Sequence, residues 1–240
     1  MATRAKHSGA VKRRRRHESL TKARNRLNAI LDELRPLYAG LGTALNFDTP
    51  LQLLVATILS AQCTDDRVNM VTPELFRQYP DAAALAEADP SEIERLIYTT
   101  GFFRNKTRHI QAASRVLVER FQERVPETMA ELIQLPGVDR KTANVVLSHA
   151  FGKAEGIAVD THVFRLSRRL DLSRAANPAG VEQDLMAISD PSRWTEIADS
   201  FIWHGRRICQ ARKPMCLDCV VLELCPAGRK NVGLIAGVTR

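Results

Sequence analysis

No stretch of 18 consecutive apolar residues occurs in the 240-residue chain, so no segment reads as a membrane-spanning helix. The apolar stretch of a secretory signal is missing too, which argues against an exported, disulfide-stapled protein. Asn-Gly and Asp-Gly pairs are absent, as are alternating apolar and polar runs, so there is no candidate for a hairpin-built sheet. No segment recurs at a fixed period, which excludes a repeat array. Beyond its first residues the chain also lacks net charge. Residues 1–26 hold ten Lys and Arg against Glu18, and removing that +9 from the total of +8 leaves a body near −1. Whatever the body grips must be held by local patches, because its overall field is close to zero.

What is present is a succession of helix signals. Thr49-Pro50, Asp89-Pro90, Asn177-Pro178 and Asp190-Pro191 each set a capping side chain before a proline whose fixed φ suits the first helical turn. Apolar residues at helical spacing follow, as in Leu51, Leu54, Val55, Ile58 and Leu59, or Ile110, Ala113, Val116, Leu117 and Phe121. The pattern predicts an all-α fold, and a length of 240 residues suggests two lobes rather than two independent domains. Residues 1–20 read as a basic tail too poor in apolar residues to pack. Its run Arg13 to Arg16 suits phosphate contacts or an organelle or nuclear address.

Four of the five cysteines fall within 17 residues: Cys209, Cys216, Cys219 and Cys225, separated by six, two and five residues. Four thiolates this close can surround one metal centre. A zinc site usually carries two Cys-x-x-Cys pairs and here there is one, whereas an iron–sulfur cube accepts looser spacing, so spacing leaves zinc and cluster both open. Cys63 lies apart in an apolar helical run and reads as a small core residue.

The segment Leu132 to Ala143 joins a short helix to a longer apolar one through Pro136-Gly137. A turn there leaves the first N–H groups of the second helix unpaired, a cradle for a phosphate, with Arg140 and Lys141 beside it. Lys141 is either a phosphate contact or, at the positive end of a helix beside a second cation, a nucleophilic amine. Asp160 precedes Thr161-His162 and reads equally as a helix cap or a functional carboxylate.

Leu135-Pro136-Gly137-Val138-Asp139-Arg140-Lys141-Thr142-Ala143 resembles the hairpin of the helix-hairpin-helix DNA glycosylases. With Val159-Asp160-Thr161-His162, the cysteine quartet, Leu45-Asn46-Phe47 and Leu59-Ser60-Ala61-Gln62, the chain resembles the endonuclease III family over about residues 22–228. One position departs from the family pattern: Asp139 stands where the second hairpin glycine is usual. An aspartate tolerates the left-handed backbone expected there, but its carboxylate should weaken the local grip on DNA.

The resemblance implies a six-helix lobe over residues 43–153 and a second lobe formed by 21–42 with 154–240, with the active cleft between them. It implies a [4Fe-4S] cluster on Cys209, Cys216, Cys219 and Cys225. Lys141 would be the nucleophile of a bifunctional glycosylase and abasic-site lyase acting on damaged pyrimidines in duplex DNA, with Asp160 as catalytic carboxylate. Gln62 and Phe102 would fill the gap left by the extruded nucleotide, with either Phe102 or Phe103 as readily a buried helix staple. Gly137, Asp139, Arg140, His162, Arg212 and Lys213 would contact the DNA. A monomer at the bacterial nucleoid is the implied setting. Two rivals are an adenine-specific glycosylase, which usually lacks the hairpin lysine, and a DNA-binding redox sensor, which would cut nothing.

Overall fold

A computed structural model describes residues 19–234, so nearly all of the expected tail lies outside the described residues. The described chain is all-α and holds no strand. Its twelve helices are α1 (Leu20–Tyr38), α2 (Pro50–Leu59), α3 (Asp65–Gln78), α4 (Ala82–Glu87), α5 (Pro90–Ile97), α6 (Phe103–Phe121), α7 (Met129–Leu132), α8 (Arg140–Phe151), α9 (Thr161–Arg169), α10 (Pro178–Ala187), α11 (Trp194–Arg207) and α12 (Pro226–Asn231). None of the described helices is long and apolar enough to cross a membrane.

The proline signals mark helix starts. Thr49, Asp89 and Asn177 accept hydrogen bonds from the backbone N–H groups of Gln52, Ser91 and Gly180, and a proline follows each in the first turn. Asp190 caps in the same way through Ser192, but the turn it opens is a short 3-10 segment that runs into α11. A fifth start is unusual: Pro226 opens α12, and the group accepting from Gly228 N–H is the sulfur of Cys225.

The helices bury two aliphatic cores. One gathers α2 to α8 around residues such as Leu53, Leu54, Leu75, Ile93, Ile110 and Leu147; the other joins α1 to α9 to α12 around Leu27, Leu31, Leu166, Leu185 and Phe201. Val145 of α8 packs against both, so α8 runs along the seam. Polar pairs also cross it. His149 Nε2 lies 3.3 Å from Asp199 Oδ1 and Arg206 pairs with Asp65, while within the second lobe Trp203 Nε1 donates to the Gly42 carbonyl at 2.9 Å. Beside these pairs the two cores leave a cavity of about 540 Å³.

Candidate active site and metal centre

Lys141 and Asp160 both line that cavity. Each owes its place to a helix start. Lys141 is the second residue of α8, and its side chain is exposed toward the cavity. Asp160 is the N-cap of α9, where its Oδ1 accepts from the amides of His162 and Val163, both at 2.8 Å. Capping occupies one carboxylate oxygen. Oδ2 accepts no hydrogen bond among the described residues, so capping leaves a charged acceptor for the cavity.

The hairpin between α7 and α8 is closed by Val138 N–H donating to the Leu135 carbonyl at 3.1 Å. Gly137 takes φ +81°, and a Cβ there would fall 2.7 Å from that of His109 on α6, so both the backbone and the packing call for glycine. The amides of Gly137, Asp139, Arg140 and Lys141 have no acceptor among the described residues, an arrangement able to receive an anion.

Asp139 corrects one expectation. It is not left-handed but extended, with φ −93° and ψ 175°, and it is the N-cap of α8. Its Oδ1 accepts from Thr142 N–H at 2.7 Å. Only Gly137 needs positive φ in this turn, so an aspartate at 139 costs no backbone strain. It consumes one orphan amide instead.

Arg140 is engaged by a partner within the protein. Its Nε donates to both oxygens of Glu182, at 3.1 and 2.9 Å, and its Nη2 to the Glu155 carbonyl at 3.3 Å. The pairing with Glu182 further favours the guanidinium form. The positive charge beside Lys141 is therefore largely cancelled, and Arg140 braces α8 against α10. Glu182 also accepts from Asn144 Nδ2 and Ile157 N–H. No sequence signal points to Glu182, which lies 42 residues from its arginine.

Gln62 and Phe102 stand at turn tips, both exposed and both in the left-handed region, at φ +52° and +48°. Phe103 is the packed member of the aromatic pair, tilted against Tyr98 at 4.9 Å between ring centres. Phe102 is 67% exposed. His162 is half-buried against α11, with Nδ1 3.1 Å from Arg165 Nη2, and burial pushes its pKa below the usual histidine value. Cys63 packs partly on the first core and also lines the cavity.

The four clustered cysteines surround a second, small cavity closed by Leu166, Ile208, Val221 and Leu222. Each sulfur faces a nitrogen. Arg169 Nη1 donates to Cys209 Sγ at 3.2 Å, Asn231 Nδ2 to Cys216 Sγ at 3.6 Å and Gly228 N–H to Cys225 Sγ at 3.2 Å. His204 Nε2 lies 3.4 Å from Cys219 Sγ, while its Nδ1 meets the Tyr38 hydroxyl at 3.1 Å. Burial pushes the Cys219 thiol up to about 11 and holds the His204 imidazole down to about 4. Cys209, Cys216 and Cys225 each accept one N–H, the part thiolates play when they bind metal, and the Cys225 thiol also donates to the Arg169 carbonyl at 3.7 Å. Among the described residues no three ligand-type side chains are close enough together to hold one metal ion. Arg212 and Lys213 are exposed on the loop between the first two cysteines. Arg169 grips that loop through the Cys209, Gln210 and Ala211 carbonyls.

Residues 55–191 match the model of the HhH-GPD superfamily base excision DNA repair proteins. The chain is 54% identical over 208 residues to an endonuclease III of Synechocystis sp., covering 87% of this chain and 95% of that protein. It is 40% identical over 196 residues to the endonuclease III of Escherichia coli K12, covering 82% and 92%. A solved structure of a trapped endonuclease III–DNA covalent intermediate superposes with a TM-score of 0.82 at 40% identity, covering 87% of this chain and 98% of that one. A thermostable thymine-DNA glycosylase shares the fold at 21% identity, with a TM-score of 0.77. The chain thus belongs to the HhH-GPD superfamily of base excision DNA repair proteins and, within it, to the endonuclease III family.

Proposed function

We propose that this protein excises damaged pyrimidines from duplex DNA and then cuts the resulting abasic site. One observation carries the assignment of roles: Lys141 and Asp160, at the starts of two helices, share one cavity at the seam between the cores. Lys141 Nζ attacks C1′ of the extruded nucleotide, and the glycosidic bond breaks as the base leaves. The Asp160 carboxylate offsets the positive charge that develops on the sugar and takes up a proton from the lysine. The departing base takes that proton, a further proton passes from the nitrogen to O4′ as the sugar ring opens, and the resulting Schiff base acidifies the C2′ proton. Its removal expels the 3′ phosphate, so the strand breaks on the 3′ side of the lesion.

The hairpin amides take a backbone phosphate, and Arg212 and Lys213 take another. Gln62 and Phe102 occupy the space the nucleotide vacates, a step that base-excising enzymes need because the target bond is buried in the stack. Cys209, Cys216, Cys219 and Cys225 would hold a [4Fe-4S] cluster. When bound, that cluster supplies a structural cross-link that pins the loop carrying Arg212 and Lys213. The division into residues 43–153 and 21–42 with 154–240 follows from the same reading, as do a monomeric state and action at the nucleoid.

Incubation with duplex oligonucleotides that each carry one defined oxidised pyrimidine, with borohydride present, tests the reading. A covalent complex that disappears in Lys141→Ala is expected, together with loss of base release in a folded Asp160→Asn. Strand cleavage retained by Lys141→Ala would refute the nucleophile assignment.

A further inference from the structure

Lys106 is a lysine where lysines are seldom found. It lies in the first turn of α6 and is 4% exposed, although its neighbours Arg104, Asn105 and Arg108 are all at the surface. Burial pushes its pKa below the usual lysine range, and Cys63 is the one group whose field opposes that shift. Its Nζ donates to the Thr100 carbonyl at 2.8 Å, and its backbone N–H to the Phe102 carbonyl at 3.1 Å. Thr100 is itself fixed, buried and bonded through its hydroxyl to the Ile97 carbonyl.

These bonds bracket an unusual turn. Gly101 and Phe102 take positive φ in succession, +70° and +48°, and the second is a phenylalanine whose exposed ring offers no buried contact to offset the strain. Such a turn persists only where its surroundings over-determine it, and the Lys106 ammonium supplies one such tie, at the Thr100 carbonyl just before it.

We propose that Lys106 is the positioning residue that holds the Phe102 turn rigid as a wedge, so that it acts on nucleotide extrusion and not on bond cleavage. This rests on the reading that Phe102 enters the duplex. A charged donor suits that role, because an apolar side chain would fill the space but leave the Thr100 carbonyl unpaired and the turn free to relax.

The test compares Lys106→Met, Lys106→Gln, Phe102→Ala and Lys106→Met/Phe102→Ala on the full-length holoprotein. Extrusion is read by stopped-flow fluorescence of 2-aminopurine placed opposite the lesion in a duplex. Single-turnover base release is read on that duplex, and cleavage of an abasic site on a single strand, which requires no extrusion. Lys106→Met should lower the 2-aminopurine amplitude and duplex base release by about tenfold while single-strand cleavage stays within about twofold. Lys106→Gln, which keeps a donor for Thr100, should recover most of the loss. The double variant should be no worse than Phe102→Ala, because Lys106 acts through that side chain. Equal losses on duplex and single strand, no loss on the duplex, or additive losses would each overturn the proposal. If Phe102→Ala itself leaves duplex base release intact, the wedge reading fails with it. If Phe102→Ala is impaired while Lys106→Met is not, only the role of Lys106 fails.

Discussion

Glu182→Ala asks whether one buried carboxylate holds the hairpin helix in place. Glu182 is 7% exposed and accepts from Arg140 Nε, from Asn144 Nδ2 at 3.0 Å and from Ile157 N–H at 3.3 Å. Truncation strands two buried donors, in a place where Asn144 Oδ1 already lacks a partner. Each orphaned neutral donor costs about 1–3 kcal/mol, with the lower half of that range fitting bonds of this length. Loss of a buried methylene adds about 0.8 kcal/mol. The Arg140 pair adds little, because its side chain is 48% exposed and water can solvate the freed guanidinium. The sum is about 3–5 kcal/mol, which lowers the urea midpoint by about 1–2 M for a slope of about 2–3 kcal/mol/M. Glu182→Gln separates the contributions: it keeps an acceptor for Asn144 and Ile157, and should lose only about 0.5 kcal/mol with the half-exposed charge pair. Urea unfolding followed by far-UV circular dichroism gives both numbers. Abasic-site cleavage at saturating DNA gives the functional consequence, a fall in rate for the alanine variant as the first turn of α8 loosens around Lys141. An alanine variant that loses less than about 1 kcal/mol and cleaves normally would refute the reasoning, since it would mean that water replaces the carboxylate at no cost.

Asp139→Gly should change stability by only a few tenths of a kcal/mol, because glycine is tolerated at an N-cap. The same variant should bind duplex DNA about fivefold more tightly at low salt, since one negative charge near a phosphate is worth about 1 kcal/mol there; unchanged affinity at fixed salt would show that the carboxylate lies outside the phosphate's field. Deleting residues 1–17, with their seven Lys and Arg, should flatten the salt dependence of DNA binding by about 0.9 in the log–log slope for each phosphate that is no longer neutralised. A slope that does not move would mean that this segment touches no phosphate. Arg169→Met removes the donor to Cys209 Sγ and the grip on three loop carbonyls. In holoprotein its visible cluster absorbance should decay faster under oxidant, and DNA binding should weaken; equal decay rates would show that the guanidinium does not shield the sulfur.

What is legible in the sequence is local. Caps at Thr49, Asp89, Asn177 and Asp190 depend on side chains within three residues, and all four are in place. The hairpin is legible for the same reason, since Pro136-Gly137 sets its own backbone. Asp139 departs from expectation because the left-handed geometry of this turn falls on Gly137 alone, which leaves the next position extended and free to cap. Pairs that span the chain leave no trace. Arg140 reads as a surface cation until α10 brings Glu182 to it, and Arg206 meets Asp65 across 141 residues. Lys106 is the sharpest case, because its polar neighbours announce an exposed turn, and only the packing of α6 buries it.

The seam gives these long-range pairs their functional weight. Lys141 stands at the start of a helix whose residues Val146 and Leu147 are rooted in the first core, and Asp160 caps a helix whose residues Val163 and Leu166 are rooted in the second. Their separation is therefore set by how the two cores lie against each other, and a displacement of about 1 Å at a reacting pair costs rate heavily. Apolar packing at Val145 fixes that relation only loosely, since it resists separation better than sliding. Directional bonds resist sliding. Arg206 with Asp65 and His149 with Asp199 both cross the seam, and both pairs lie in the wall of the cavity itself. They therefore constrain where Lys141 and Asp160 stand relative to each other, so in a body with almost no net charge these buried polar groups contribute by fixing geometry.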